Sequence, residues 1–169
     1  MDEIGGYRAR LAEAFDHAFT LPSSNTRTET RDFLVLRLSG YLYAIAVDEI
    51  AGVQNKKAIR FLPDAPPHCL GLANVGGRMG AVYDLAGLLG SPSSDRMAWF
   101  LQTRSDPDLA FLVPKADRYL RVPLARILPN AEPDGAVIAA ITEGNTGVNV
   151  LSGERLVSAI RERCRGRVP

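Results

Sequence analysis

The residues most open to a chemical reading lie between Gly71 and Leu85, in the stretch GLANVGGRMGAVYDL. Gly71, four intervening residues and then Gly76-Gly77-Arg78 approach the phosphate-cradling pattern G-x-x-x-x-G-K-[ST]. That chemistry needs a lysine to reach the terminal phosphates and a hydroxyl for magnesium. Gly77 and Arg78 hold those two positions. It also needs a helix after the loop, whose first amides bind phosphate, whereas RMGAVYDL reads as a strand. A Gly-Gly pair between two strands has a sufficient backbone reason: a type I′ turn wants positive φ at both central residues. Tyr83 and Asp84 follow the turn. With no second acid or histidine near them in sequence, Asp84 reads as the cap of the helical turn DLAGLLG rather than as a catalytic group.

The remaining candidates are few. Cys69 and Cys164 are far apart and form no C-x-x-C pair, and His17 and His68 complete the metal and nucleophile inventory. His68 and Cys69 are neighbours in what reads as a strand, so their side chains are expected on opposite faces. No set of four ligands has zinc spacing. No nucleophile-base arrangement of the kind a hydrolase needs stands out. The C-terminal IRERCRGRV carries Arg161, Arg163, Arg165 and Arg167 against Glu162. Arginines suit a helix C-terminus, and the alternative is a basic contact for an acidic partner or nucleic acid. The formal net charge of +1 gives no global field toward either, and the aromatic pattern of a nucleic-acid-binding barrel is missing.

The elements that would position these residues are mostly strands. With 46% apolar and 23% charged residues in 169, the chain has the composition of an ordinary globular domain. FLVLRL (33–38), Ser39-Gly40 and YLYAIAV (41–47) make one hairpin. LGLANV (70–75) and RMGAVYDL (78–85) make a second, and MAWFLQT (97–103) with LAFLV (109–113) a third, joined by RSDPD. GAVIAAI (135–141) and GVNVL (147–151) follow. A closing helix carries the stripe Leu156, Val157, Ile160 and Cys164. FLPDAPP (61–67) is too rich in proline for regular structure. Ahead of the strands, Ile4, Tyr7, Leu11, Phe15 and Ala18 share one face of an amphipathic helix, and SSNTRTETR (23–31) reads as a polar linker. A faint repeat joins the halves: a shift of 68 sets Gly76-Gly77 on Gly144-Asn145 and Asp84 on Ser152. A shift of 66 sets Ala46-Val47 on Leu112-Val113.

On these residues the chain resembles the CheW-like domains, coupling proteins of bacterial chemosensory arrays. Gly71-x-x-Asn74-x-x-Gly77 followed by Val82-x-Asp84-Leu85 matches the family signature. The opening strands FLVLRLSGYLYAIAVDEIAGV and the linker Ile59-x-x-Leu62-Pro63-x-Ala65-Pro66 match what precedes it. The likeness spans about residues 33 to 156, strongest as far as Leu89. It implies a mainly β fold of two small five-stranded barrel lobes with an N-terminal amphipathic helix and a C-terminal helix. The expected organisation is helix and linker over 1–32, CheW-like domain over 33–163 and basic tail over 164–169. It implies a cytoplasmic, non-enzymatic adaptor without a cofactor, one that joins a chemoreceptor's cytoplasmic tip to the regulatory domain of a CheA-type histidine kinase. Other CheW-like domains are further candidate partners, and neither nucleic acid nor membrane insertion is expected. The N-terminal extension resembles most the coupling-protein branch of type IV pilus chemosensory systems.

The chain departs from that pattern where the family carries charge. The family's arginine two positions after the signature asparagine is Gly76 here, and its glutamate in the third strand is Gly52. Losing one of a partly buried pair strands the other at about 3–5 kcal/mol, and losing both removes that penalty. The proline usual before the signature's second half is Ala81. In the second half of the chain Ala110-Phe111-Leu112-Val113-Pro114 replaces G-L-x-V-D, and Ser152-Gly153 replaces D-L. Gly52, Asn74, Gly76, Arg78 and Tyr83 are therefore the residues expected to face a partner, with Gly71, Asn74, Gly77, Val82, Asp84 and Leu85 serving the fold.

Overall fold

Strand-forming runs punctuated by two-residue turns dictate the architecture. The computed structural model describes residues 29–93, 97–131 and 135–165. The first hairpin pairs β1 (Thr30–Leu38) with β2 (Tyr41–Ala46). Its turn takes positive φ at both Ser39 and Gly40, the twist that two-residue hairpins favour. Then come β3 (Ile50–Asn55), β4 (Cys69–Val75) and β5 (Arg78–Asp84), and a single helical turn, α1 (Leu85–Leu88). The second half runs β6 (Met97–Thr103), β7 (Asp106–Pro114), β8 (Ala116–Pro123), the short β9 (Ile127–Pro129), β10 (Val137–Glu143), β11 (Thr146–Leu151) and α2 (Gly153–Arg165).

These strands form two sheets, in the orders β8-β1-β2-β11-β10-β9 and β3-β6-β7-β5-β4. The second has the five strands expected, and the first gains a sixth from the three-residue β9. The orders reveal a repeat with exchange. In each sheet a hairpin (β1-β2, β6-β7) receives a parallel strand from another hairpin, β11 on β2 and β5 on β7. The third strand of each half crosses over: β3 pairs with β6, and β8 pairs with β1. The repeat seen faintly in sequence maps onto this plan. Gly76-Gly77 and Gly144-Asn145 occupy equivalent hairpin turns, and Asp84 and Ser152 equivalent caps. Asp84 Oδ1 accepts from Ala86 N at 3.1 Å and Ser152 Oγ from Arg155 N at 3.4 Å, each satisfying an amide that a helix start leaves open.

Burial explains why residues 33–36, FLVL, read as an unbroken apolar run. Phe33 and Val35 face the core inside the first lobe, while Leu36 and Leu38 face a second core. A strand covered on both faces needs no polar side. The second core unites the interior of the other lobe with the stripe Leu156, Val157 and Ile160 of α2, so one apolar cluster binds both lobes and the last helix. Polar contacts brace the same seam. Glu49 Oε2 accepts from Gly153 N at the start of α2 at 2.7 Å, and its other oxygen accepts from Arg31 at 3.2 Å. Gly153 leaves no room for a side chain, since a β-carbon there would lie 2.8 Å from Thr103 Cγ2. That accounts for glycine where the family carries leucine.

Several expectations change. β1 begins at Thr30, inside the stretch read as linker, because Thr30, Arg31 and Asp32 pair with Pro123, Val122 and Arg121 of β8. β8 itself was not foreseen. Its outward Asp117, Tyr119 and Arg121 alternate with inward residues that include Arg118, whose charge breaks the apolar pattern. β7 starts at Asp106, so the turn before it is shorter than RSDPD suggested. His68 precedes β4 with φ +65 and does not share a strand with Cys69. The expected N-terminal helix, with most of its linker, lies outside the described residues.

Candidate partner-binding corner

The hairpin β4-β5 carries the signature and turns through Gly76 (φ +60) and Gly77 (φ +87). Both glycines are therefore needed by a turn with left-handed backbone at two successive positions. Asn74 locks it: its Oδ1 accepts from Gly77 N at 3.1 Å. At the far end of β4, Gly71 has φ +131, and a β-carbon would lie 2.1 Å from the Arg60 carbonyl oxygen. This close approach lets Arg60 and Leu72 exchange two backbone hydrogen bonds, 2.7 and 2.8 Å. Val82 and Leu85 are fully buried. Asn74, Gly71, Gly77, Val82, Asp84 and Leu85 thus each have a structural task in one hairpin.

Gln54 on β3 joins that hairpin to the opposite edge of the sheet. Its Nε2 donates to the Asn74 carbonyl at 3.0 Å, and its Oε1 accepts from Gly76 N at 3.3 Å. One side-chain amide thus substitutes for a pair of ladder hydrogen bonds between the edge strands β3 and β4. Sequence reasoning did not single out Gln54, nor Gln102 on β6. Gln102 donates from Nε2 to the Pro107 carbonyl at 3.0 Å. Its Oε1 lies 3.3 Å from where a β-carbon of Gly52 would stand and 3.1 Å from that of Gly76. The two positions where the family carries opposite charges are thus neighbours, and a neutral carboxamide sits against both. The signal available in sequence was a polar residue at the exposed end of β6, which nothing local distinguishes.

The rest of the corner is exposed. Arg78 pairs with Asp108 at 2.9 Å, both more than half exposed, so the pair contributes at most about 1 kcal/mol. Met79 and Val53 are apolar and exposed nearby in sequence on β5 and β3. Tyr83, expected at this surface, corrects that expectation. It is 5% exposed, and its hydroxyl contacts Cys164 Sγ at 3.8 Å. Burial, aided by Cys164 and Cys69, pushes its pKa well above the usual range. Strand alternation fails as a guide here because β5 is covered on both faces.

The arginines of the basic cluster have different surroundings. Arg161 is held by Asp106 at 3.0 Å, Arg163 and Arg165 are exposed on α2, and Arg167 lies outside the described residues. Where the lobes meet, a cleft of about 660 Å³ opens between the β1-β2 turn, α1 and the β7-β8 junction. Leu38, Ala86, Met97 and Pro114 line its apolar floor, with Arg37 and Lys115 beside them. Among the described residues no group of His, Cys, Asp and Glu could hold a metal ion, and no helix is long and apolar enough to cross a membrane.

This geometry can be set beside known proteins. The family model described as CheW-like domain matches residues 32–161. Among solved structures, the scaffolding protein TtCheW from Thermoanaerobacter tengcongensis is similar, with a TM-score of 0.65 and 15% sequence identity over 76% of this chain and 92% of that one. At that identity the likeness concerns the fold. The search among curated proteins found no significant match.

Proposed function

The chain belongs to the CheW-like domain family, a family of non-enzymatic scaffolds, and on that premise we propose that it couples a chemoreceptor to a CheA-type histidine kinase. The observation that carries the reading is the family match over residues 32–161. The architecture agrees with it. Two lobes share one core, so partners bound to different lobes are held at a fixed distance. The kinase's regulatory domain meets the ends of the lobes. The receptor's helical hairpin tip lies in the cleft between them, where the apolar floor accepts helix side chains and Arg37 and Lys115 meet acidic ones. The adaptor works in the cytoplasm and reaches receptor arrays through these partners.

The signature corner sets this member apart. With glycine at 52 and 76 it offers backbone and the Gln102 carboxamide in place of a charge pair. Charged rims tune association and exclude wrong partners, so a neutral corner selects a receptor or kinase whose opposing surface is neutral too. A purely basic docking role for α2 is not favoured, because Asp106 already engages Arg161.

The reading is tested by calorimetry with the kinase regulatory domain and a receptor-tip fragment from the same genome. Arg37→Glu with Lys115→Glu should weaken receptor binding at least tenfold and leave kinase binding within twofold. Equal loss of both, in a folded variant, would contradict separate sites.

A further inference from the structure

Tyr83 is the second-to-last residue of β5, and both cysteines of the chain neighbour it. Cys164, near the end of α2, places its sulfur 3.8 Å from that hydroxyl. Cys69, the first residue of β4, stands directly across the ladder from Tyr83. The ladder shifts register between Cys69 and Gly71, so this pairing sits beside a bulge. Both thiols are free and half buried, and both pack against the core shared by the lobes. They stand 95 positions apart in the chain, 164 − 69, so nothing local brings them together. The fold does.

We propose that Cys69 and Cys164 form a thiol pair that closes into a disulfide by exchange with a low-molecular-weight disulfide, fastening α2 to β4. A thiolate of one cysteine attacks the small disulfide, forming a mixed disulfide and releasing one small thiolate. The second cysteine, as thiolate, attacks the protein sulfur of that mixed disulfide. The Cys69–Cys164 bond forms and the second small thiolate leaves. The two cysteines lose two protons and two electrons, and the reagent is reduced to two thiols. Half burial leaves each cysteine open to a small reagent, and closing requires the two side chains to reach disulfide geometry beside Tyr83. The consequence falls on the helix. Glu49 and Ser152 already hold its first turn at the seam, and the new bond would hold its last turns on the second lobe.

The test uses the full-length native protein equilibrated in glutathione redox buffers, quenched with acid and mapped by mass spectrometry. A crosslink between the peptides containing Cys69 and Cys164 is expected. The melting temperature should rise by about 5–10 °C, as a long closed loop in a domain of this size implies, and dithiothreitol should reverse it. Cys164→Ser should stop at a glutathione adduct on Cys69, with no rise. The proposal is overturned if the native wild type gives only glutathione adducts or unreacted thiols. It is likewise overturned if the crosslink forms only after denaturation, or forms with no change in melting temperature.

Discussion

Replacing Gly52 and Gly76 by alanine, singly and together, tests whether Gln102 is the shared neighbour that organises the corner. Gly76 has φ +60, where an L-residue is disfavoured by about 1–2 kcal/mol. Its new β-carbon would lie 3.1 Å from Gln102 Oε1. That contact is relieved by moving a flexible side chain, which breaks the 3.0 Å bond from Gln102 to the Pro107 carbonyl and costs about 0.5–1.5 kcal/mol. The stiffer unfolded chain returns about 0.4–1 kcal/mol. Gly76→Ala should therefore destabilise by roughly 1–3 kcal/mol. Gly52 has no left-handed backbone, and its β-carbon would meet the same Oε1 at 3.3 Å. Its cost should be about 0–1 kcal/mol, the lost bond offset by the unfolded-state gain. In the double variant that bond is lost once, so the summed single effects should exceed the measured one by about 0.5–1.5 kcal/mol. Repeating the cycle in a Gln102→Ala background should erase the excess. Urea unfolding, with m unchanged across the set, supplies the numbers. Strict additivity with Gln102 present, or an unchanged excess without it, would refute the argument.

Three further outcomes follow from other contacts. Thr103 is fully buried with an Oγ1 that has no hydrogen-bond partner among the described residues, so Thr103→Val should raise stability by about 1 kcal/mol in urea unfolding. A loss greater than 1 kcal/mol would show a partner for that hydroxyl. Glu49→Ala removes the acceptor for Gly153 N and one for Arg31, and should lower stability by about 1–2 kcal/mol with faster amide exchange in the first turn of α2. Asp32 bonds to Arg121, and also to Tyr119, which hold its carboxyl down at about 2. Its folded pKa lies below the unfolded value, so its contribution is complete above about 4 and lost as the pH falls from there through 2. Carboxyl chemical shifts should show a midpoint near 2 that returns toward 4 in Arg121→Gln.

The lobes, the glycine turns and the signature hairpin were legible because each rests on local chemistry. Two successive glycines between apolar runs specify a turn, and an oxygen-bearing residue before DLAGLLG specifies a cap. What was not legible depends on partners distant in sequence. β8 reads as polar because Arg118, at a less exposed position of its alternation, is charged and pairs with Asp117 and Glu143. Gln54 and Gln102 matter only because exchange of third strands brings β3 beside β6 and sets both near the β4-β5 turn. Tyr83 looked available beside an exposed turn, and only the docking of α2 buries its hydroxyl. The absence of charge at 52 and 76 was visible, but not the amide that takes its place.

The coupling role is tested most directly by sedimentation of receptor-containing membranes with the kinase from the same genome, with and without this protein. The account predicts that the kinase sediments with receptor only when the protein is added, and that all three appear together in the pellet. A folded protein that stays in the supernatant and leaves kinase sedimentation unchanged would contradict it.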